Sequence, residues 1–327
     1  MKCKVKAAIQ AAAYFLGVAV VVFSGSVQAQ GYPSRPIRLI VPFAPGGGLE
    51  ITARSIGQKL TAKRGQSIVI DNRPGAATIV GTDIASKATP DGYTLLMITT
   101  TFAINPSLYA KLPYDPARDF TPVTQINSVP NILVVNPSIP AQSVRDLITL
   151  AKAKPGQLNY ASAGAGTSPH LATELFKTMA GIDMTHIPYK GIPPAVTDVI
   201  AGRVSMLMTT TISAGPHVKS GKLRALAVTS PRRLAVMPDV PAIAETVPGY
   251  EADAFQAMVA PAGVPREIIR QLAADVAEIL KLPDVRERVT ADGAEPIGST
   301  PEAFAAFLKK ETTKWGKVVK DSGARAE

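Results

Sequence analysis

Strands and helices alternate in two successive series along this chain of 327 residues. That order predicts an α/β protein of two lobes with a cleft between them. Three observations carry the prediction. Short apolar runs bounded by Pro and Gly alternate with stretches of helical periodicity. A β-α-β-α-β order in the first third returns in altered form in the second. Behind an N-terminal leader, roughly 300 residues remain, enough for two cores.

The leader comes first. Lys2, Lys4 and Lys6 precede an apolar stretch over residues 7–23, and Val27-Gln28-Ala29 places small residues where a signal peptidase cuts. Residues 1–29 are therefore expected to be a secretory signal peptide cleaved after Ala29. Gln10 interrupts the apolar stretch, and Gly and Ser follow it, which argues against a retained membrane helix. The single cysteine, Cys3, lies within the basic start. The mature chain then has neither thiol nor disulfide, and its stability comes from burial.

Residues 37–43 form a short apolar run ending in Pro and Gly, expected as a buried strand. Leu49, Ala53, Ile56 and Leu60 repeat at helical spacing. A second strand is expected over 67–70, a turn at Asn72-Arg73-Pro74-Gly75, a helix over 79–87 and a strand over 93–98. This order implies a parallel sheet covered on both faces. In the second series, strands are expected at 131–135, 158–161, 204–208 and 223–228, and a short strand or strand end at 186–189. Helices are expected at 144–153, around Leu171, Leu175, Phe176 and Met179, and at 195–201. The tail reads as helical, with Ile268, Ile269, Leu272, Val276 and Ile279 on one face. Phe304, Phe307, Leu308, Trp315 and Val319 form another. Proline-rich stretches at 122–130 and 248–265 are the candidate crossings between lobes.

Lys and Arg number 35 against 25 Asp and Glu. The net charge of +10 becomes about +7 once Lys2, Lys4 and Lys6 leave with the leader. The cations are scattered and lack interleaved aromatics, so a nucleic-acid surface is not indicated. A mild positive field favours the arrival of small anions.

Ligands of open parallel sheets bind beyond the carboxyl ends of strands, near helix N-termini. Two glycine-rich loops fit that place. Pro45, Gly46, Gly47 and Gly48 separate the first strand from the first helix, where free amides and the helix dipole suit a carboxylate or phosphate. No Gly-Lys-Ser/Thr follows, and the G-x-G-x-x-G spacing is absent. The second loop, residues 161–170, supplies Ser162, Gly164, Gly166, Thr167, Ser168 and His170. Thr167 or Ser168 is as well suited to capping the next helix as to touching a ligand. Two strands also end in hydroxyl triplets, Thr99-Thr100-Thr101 and Thr209-Thr210-Thr211. Threonine favours strands for its own reasons.

Catalytic signatures are missing: there is no G-x-S-x-G elbow and no H-E-x-x-H. His170, His186 and His217 lack metal-ligand spacing. His170 and Ser168 make a poor dyad, because no third group orients the base. Glu50 reads as a helix-start acid favoured by the dipole.

A set of ordered motifs spans nearly the whole mature chain. It begins with Tyr32-Pro33-Ser34-Arg35-Pro36-Ile37, Val41-Pro42-Phe43 and Pro45-Gly46-Gly47. It continues with Asn72-Arg73-Pro74-Gly75, Pro90-Asp91-Gly92-Tyr93-Thr94-Leu95 and Leu112-Pro113-Tyr114-Asp115-Pro116. His186-Ile187-Pro188-Tyr189-Lys190-Gly191, Gly221-Lys222-Leu223-Arg224 and Pro238-Asp239-Val240-Pro241 complete it. With these motifs the chain resembles the Bug receptors, the extracytoplasmic solute receptors of the tripartite tricarboxylate transporter family. The resemblance implies a type II, Venus-flytrap periplasmic binding protein, each lobe a mainly parallel sheet flanked by helices. Residues 30–129 would begin lobe 1, 130–254 would form lobe 2, and 255–327 would return to lobe 1.

The resemblance also implies a carboxylate held by backbone amides, hydroxyls and waters. The expected ligand contacts are Pro45, Gly46, Gly47, Gly48, Thr100, Thr101, Ser162, Gly164, Gly166, Thr167, His170 and Thr209. No metal, cofactor or catalytic activity is expected. The expected partners of this monomeric periplasmic protein are a small carboxylate and the subunits of a membrane transporter. A sensor kinase ectodomain is the alternative partner. Two positions depart from the family pattern: Glu50 stands where many relatives have Asp, and Met208-Thr209 where many have Phe-Asp. Losing that Asp removes a partner for a substrate ammonium, which makes amino acids a less expected ligand.

Overall fold

A computed structural model describes residues 31–290 and 293–325. The leader expected at 1–29 lies outside the described residues. Residues 31–34 form no regular element, and everything that follows belongs to residues 35–325.

In chain order the elements are β1 (Ile37–Val41), α1 (Gly48–Arg64), β2 (Ile68–Asn72), α2 (Ile79–Ser86), β3 (Thr94–Thr99), α3 (Thr100–Leu108) and β4 (Phe120–Val129). Next come β5 (Asn131–Val135), α4 (Val144–Ala153), β6 (Asn159–Ser162), α5 (Ser168–Ala180), β7 (Thr185–Pro188), α6 (Ile192–Ile200), β8 (Met206–Thr210), α7 (Thr211–Lys219) and β9 (Arg224–Val228). The last are β10 (Ala254–Pro261), α8 (Arg266–Ile279), α9 (Pro283–Thr290), β11 (Glu295–Pro296) and α10 (Pro301–Ser322).

The strands form two sheets, ordered β11-β4-β10-β3-β1-β2 and β7-β6-β8-β5-β9. Each sheet has the parallel part that the β-α-β order predicts, β2-β1-β3 in one and β7-β6-β8 in the other. Each is nonetheless mixed rather than mainly parallel. β10 runs antiparallel between β3 and β4, and β5 runs antiparallel between β8 and β9. These are the strands by which the chain enters a sheet from the other one, so their direction is not set by a helical crossover.

The two proline-rich stretches are strands as well as crossings. β4 tolerates Pro122 because β11 covers only Asn127 and Ser128, which leaves the outer side of β4 at Pro122 without a strand partner. On its inner side, Pro122 lies opposite Val259 at a register shift. Only Pro130 separates β4 from β5. Asp253, just before β10, ties this crossing together. It accepts hydrogen bonds from Thr229 Oγ1 at 2.8 Å and Ser128 Oγ at 3.2 Å, so its carboxylate joins the two connections between the sheets.

The helices follow local signals. Gly65 ends α1 in the left-handed conformation and donates to Thr61 O. Ser143 accepts from Asp146 N to start α4, and Thr300 accepts from Ala303 N to start α10, with Pro301 in its first turn. One apolar core runs from sheet to sheet. Ile98, Phe102 and Leu108 join Leu133, Tyr160, Leu171, Phe176 and Met208 through Tyr250, Phe255, Phe304 and Trp315. α10 packs on both α3 and α5. Tyr250 Oη donates to Ala172 O at 2.9 Å, so the segment returning from the second sheet is pinned to it.

Candidate functional site

Strand order reverses once in the parallel part of each sheet. β1 is flanked by β2 on one side and β3 on the other, and β6 by β7 and β8. A crevice opens beyond the carboxyl ends of the strands at such a point. The segments there are residues 42–47 leading into α1, Thr99 to Thr101 into α3, residues 163–167 into α5, and Thr209 to Thr211 into α7. All four were singled out from sequence, the two glycine loops and the two hydroxyl triplets.

The first loop is open. Residues 44–48, including Pro45, are exposed. Gly46 takes φ +90°, which requires glycine, while Gly47 sits at φ −82° as the N-cap of α1. Gly46 N donates to Glu50 Oε2 at 3.2 Å, so the loop spends one amide on itself. The amides of Gly47, Gly48 and Leu49 have no acceptor among the described residues. Glu50 also pairs with Arg54 one turn on. The Arg54 hydrogen bond, then that of Gly46, holds its carboxyl below the usual range.

The second loop is closed by its own side chains. Ser162 Oγ is fully buried, accepts from Gly164 N at 3.0 Å and meets His186 Nε2 at 2.6 Å. Thr167 Oγ1 donates back to Gly164 O at 2.7 Å. Thr167 therefore occupies the N-cap position without accepting from a helix amide, contrary to the capping role open to it from sequence. Gly166 N donates to His170 Nδ1 at 3.0 Å, so His170 orders the loop from beneath. The rings of Tyr160, His186 and His170 stack, the two imidazoles 4.0 Å apart. Burial pushes the His170 imidazole down to about 3, with His186 and Lys177 adding, so it stays a neutral acceptor. The amides of Ser168 and His170 have no acceptor among the described residues, and Ser168 Oγ is buried without a partner.

The threonines divide. Thr100 Oγ1 accepts from Phe255 N at 3.1 Å, which fixes α3 to β10. Thr101 Oγ1 is half-buried and bonded to Thr99 Oγ1. Thr209 is fully buried with its hydroxyl unpartnered. It shares a face with Leu207 and Ile132, inside the second apolar cluster. Thr210 is half-buried and accepts from Ser213 N to start α7.

A further element at the same rim escaped sequence reading. After β2, Ala76, Ala77 and Thr78 all have positive φ, at 44°, 47° and 78°. Such a conformation costs roughly 1–2 kcal/mol per residue away from glycine and persists only where neighbours impose it. Buried Asn105 donates to Ala77 O at 3.0 Å, and buried Thr82 to Thr78 O at 2.9 Å. The carbonyls are thereby held inward, and the amides of residues 76–78 have no acceptor among the described residues. A turn was expected at residues 72–75, but alanine carries no signal for left-handed backbone.

The site offers backbone amides and hydroxyls, and Arg54 stands beside the first loop through its ion pair with Glu50. No group of three or more metal-ligating side chains exists among the described residues. A cavity of about 670 Å³ lies elsewhere, at the strand crossings beside Asp253, Arg232 and Glu295. It contains no strand-end loop of the parallel sheets, and its Arg232 is already paired with Glu295. The strand-end loops are therefore the better candidate.

Comparison with known proteins identifies the family and the fold. The model of the tripartite tricarboxylate transporter family receptor matches residues 52–324. Protein BugT of Bordetella pertussis is 38% identical over 302 residues, covering 91% of this chain and 93% of BugT. Among solved structures, R. palustris Rpa4515 with adipate superposes with a TM-score of 0.78 at 39% identity, covering 90% of this chain and 99% of that one. MatC from Rhodopseudomonas palustris with bound malate does so with a TM-score of 0.74 at 31% identity, covering 88% and 100%. With a periplasmic binding protein fold and a family match over most of its length, the chain belongs to the receptors of the tripartite tricarboxylate transporter family.

Proposed function

We propose that this protein is a periplasmic receptor that binds a small carboxylate between its two lobes and hands it to a membrane transporter of the tripartite tricarboxylate type. The observation that carries the reading is the coincidence of both glycine loops with the two points of strand-order reversal, each opening a helix with unpaired amides. Amides at a helix N-terminus suit an anion. The adipate and malate bound by the two structural neighbours support a carboxylate as the ligand class. The contacts proposed are the amides of Gly47, Gly48 and Leu49 in lobe 1 and those of Ser168 and His170 in lobe 2. Residues 76–78 form a third side. Gly46, Gly166, Ser162, Gly164, Thr100 and Thr167 shape the site from behind. Residues 30–129 and 255–327 form lobe 1 in this reading, and residues 130–254 form lobe 2.

The test is calorimetry with adipate, malate and their diamides. An acid should bind, and its diamide should bind at least tenfold more weakly, the scale of a hydrogen bond to a charged group, about 1.5–3 kcal/mol. Equal affinity for acid and amide would remove the anion site.

A further inference from the structure

Glu50 poses a problem for a carboxylate site. It lies in the first turn of α1, three residues past the cap at Gly47, and its side chain is 6% exposed. Its carboxylate is bonded to the Gly46 amide, so its charge lies directly beside the first loop. The hydrogen bonds from Arg54 and Gly46 keep it ionised. An ionised carboxylate beside amides meant for another carboxylate opposes that ligand by simple repulsion.

Two observations resolve the problem. Glu50 Oε2 accepts from Gly46 N, which takes φ +90°, and the three amides that follow have no acceptor among the described residues. Glu50 Oε1 accepts from Arg54 Nε, and the Arg54 side chain is 60% exposed on its outer side. The pair is thus a neutral unit. Its negative half orders the loop, and its positive half cancels the field that this order introduces.

We propose that Glu50 and Arg54 are the positioning and charge-setting residues of the first loop. Glu50 withholds the Gly46 amide from the ligand, and Arg54 masks Glu50 so that an anion is admitted. The consequence is a lobe 1 site matched to a single carboxylate group, since the pair leaves no net positive charge for a second one. This rests on the receptor reading above and adds to it the origin of charge selectivity.

The experiment is calorimetry of the mature protein with adipate and with its monoamide, at low and at high salt. Arg54→Gln should lower adipate affinity about tenfold at low salt, and the loss should shrink at high salt, because it is a screened charge effect. Arg54→Lys keeps the charge and should stay close to the parent. Glu50→Gln keeps an acceptor for Gly46 N and frees the arginine charge, so it should raise the ratio of adipate to monoamide affinity. The double variant Glu50→Gln/Arg54→Gln is neutral again and should recover most of the loss. Circular dichroism confirms folding. The proposal is overturned if Arg54→Gln binds adipate as the parent does, if its loss does not depend on salt, or if the double variant is no better than Arg54→Gln. A parent that binds neither adipate nor malate overturns the receptor reading first, and this proposal with it.

Discussion

The two glycine loops occupy equivalent places in the two sheets, yet they are built in different ways. The first is exposed, and its Gly46 amide is held by a charged side chain, Glu50, with Arg54 behind. The second is supported by neutral groups. His170 accepts from Gly166, and Ser162, itself bonded to His186, accepts from Gly164. Gly166 is also packed against α3, since a Cβ there would lie 2.1 Å from Leu108 Cδ2. A Cβ at Gly47 would meet no close neighbour, whereas at Gly166 no residue other than glycine fits against Leu108. Similar sequence signals thus answer to different physical demands.

That contrast is broken most sharply by placing valine in each loop. Gly166→Val meets Leu108 and adopts φ +72°. Overpacking and left-handed strain together should cost about 3 kcal/mol or more of stability, read as a lowered urea midpoint. Gly47→Val meets only Ala44 O, at 3.9 Å, and takes an ordinary φ. Its stability should stay within about 0.5 kcal/mol of the parent, while carboxylate affinity falls at least tenfold. If both variants unfold alike, the loops do not differ as argued.

The support beneath the second loop is tested next. His170→Phe keeps a ring but leaves Gly166 N without an acceptor, at a cost of about 1–3 kcal/mol. His170→Asn offers an oxygen near the Nδ1 position and should recover part of it. Equal losses for the two variants would mean that ring packing alone matters.

A smaller effect follows from pH. The native His170 titrates at about 3, and the unfolded residue at about 6.5. Between those values the unfolded chain binds a proton that the native state refuses. The stability due to His170 is therefore complete above pH 6.5 and is lost as pH falls, by up to about 1.4 kcal/mol per unit. Asp253 works in the opposite sense. Burial pushes it up to about 6, so its contribution is complete below the unfolded value of about 3.9 and declines as pH rises toward 6. Relative to the parent, His170→Asn should therefore lose less stability between about pH 7 and about pH 5. Parallel curves for the two proteins would contradict the assignment.

Much of the scaffold was legible because local and tertiary preferences agree. The apolar run at Asn131–Val135 and the amphipathic turn pattern at Val144–Ala153 fall on β5 and α4 to the residue. β4 and β10 were hidden by their prolines, which are tolerated only because of how the sheet is paired outside them. α3 was hidden by Pro106 and by a threonine triplet that resembles a strand end. The candidate site could be read from the sequence in its loops but not in its donors. Whether an amide is free depends on groups remote in sequence or on the next turn, such as Asn105 beneath Ala77, or Glu50 and His170 beneath Gly46 and Gly166.

The account's central claim is that both loops present specific amides to one carboxylate ligand. Titration of adipate into isotopically labelled protein, followed by amide resonances, tests it most directly. The account predicts that the signals of Gly47, Gly48 and Leu49 move together with those of Ser168 and His170, with one dissociation constant, while Gly46 and Gly166, already bonded, move least. Shifts confined to one loop, or led by Gly46 and Gly166, would contradict it.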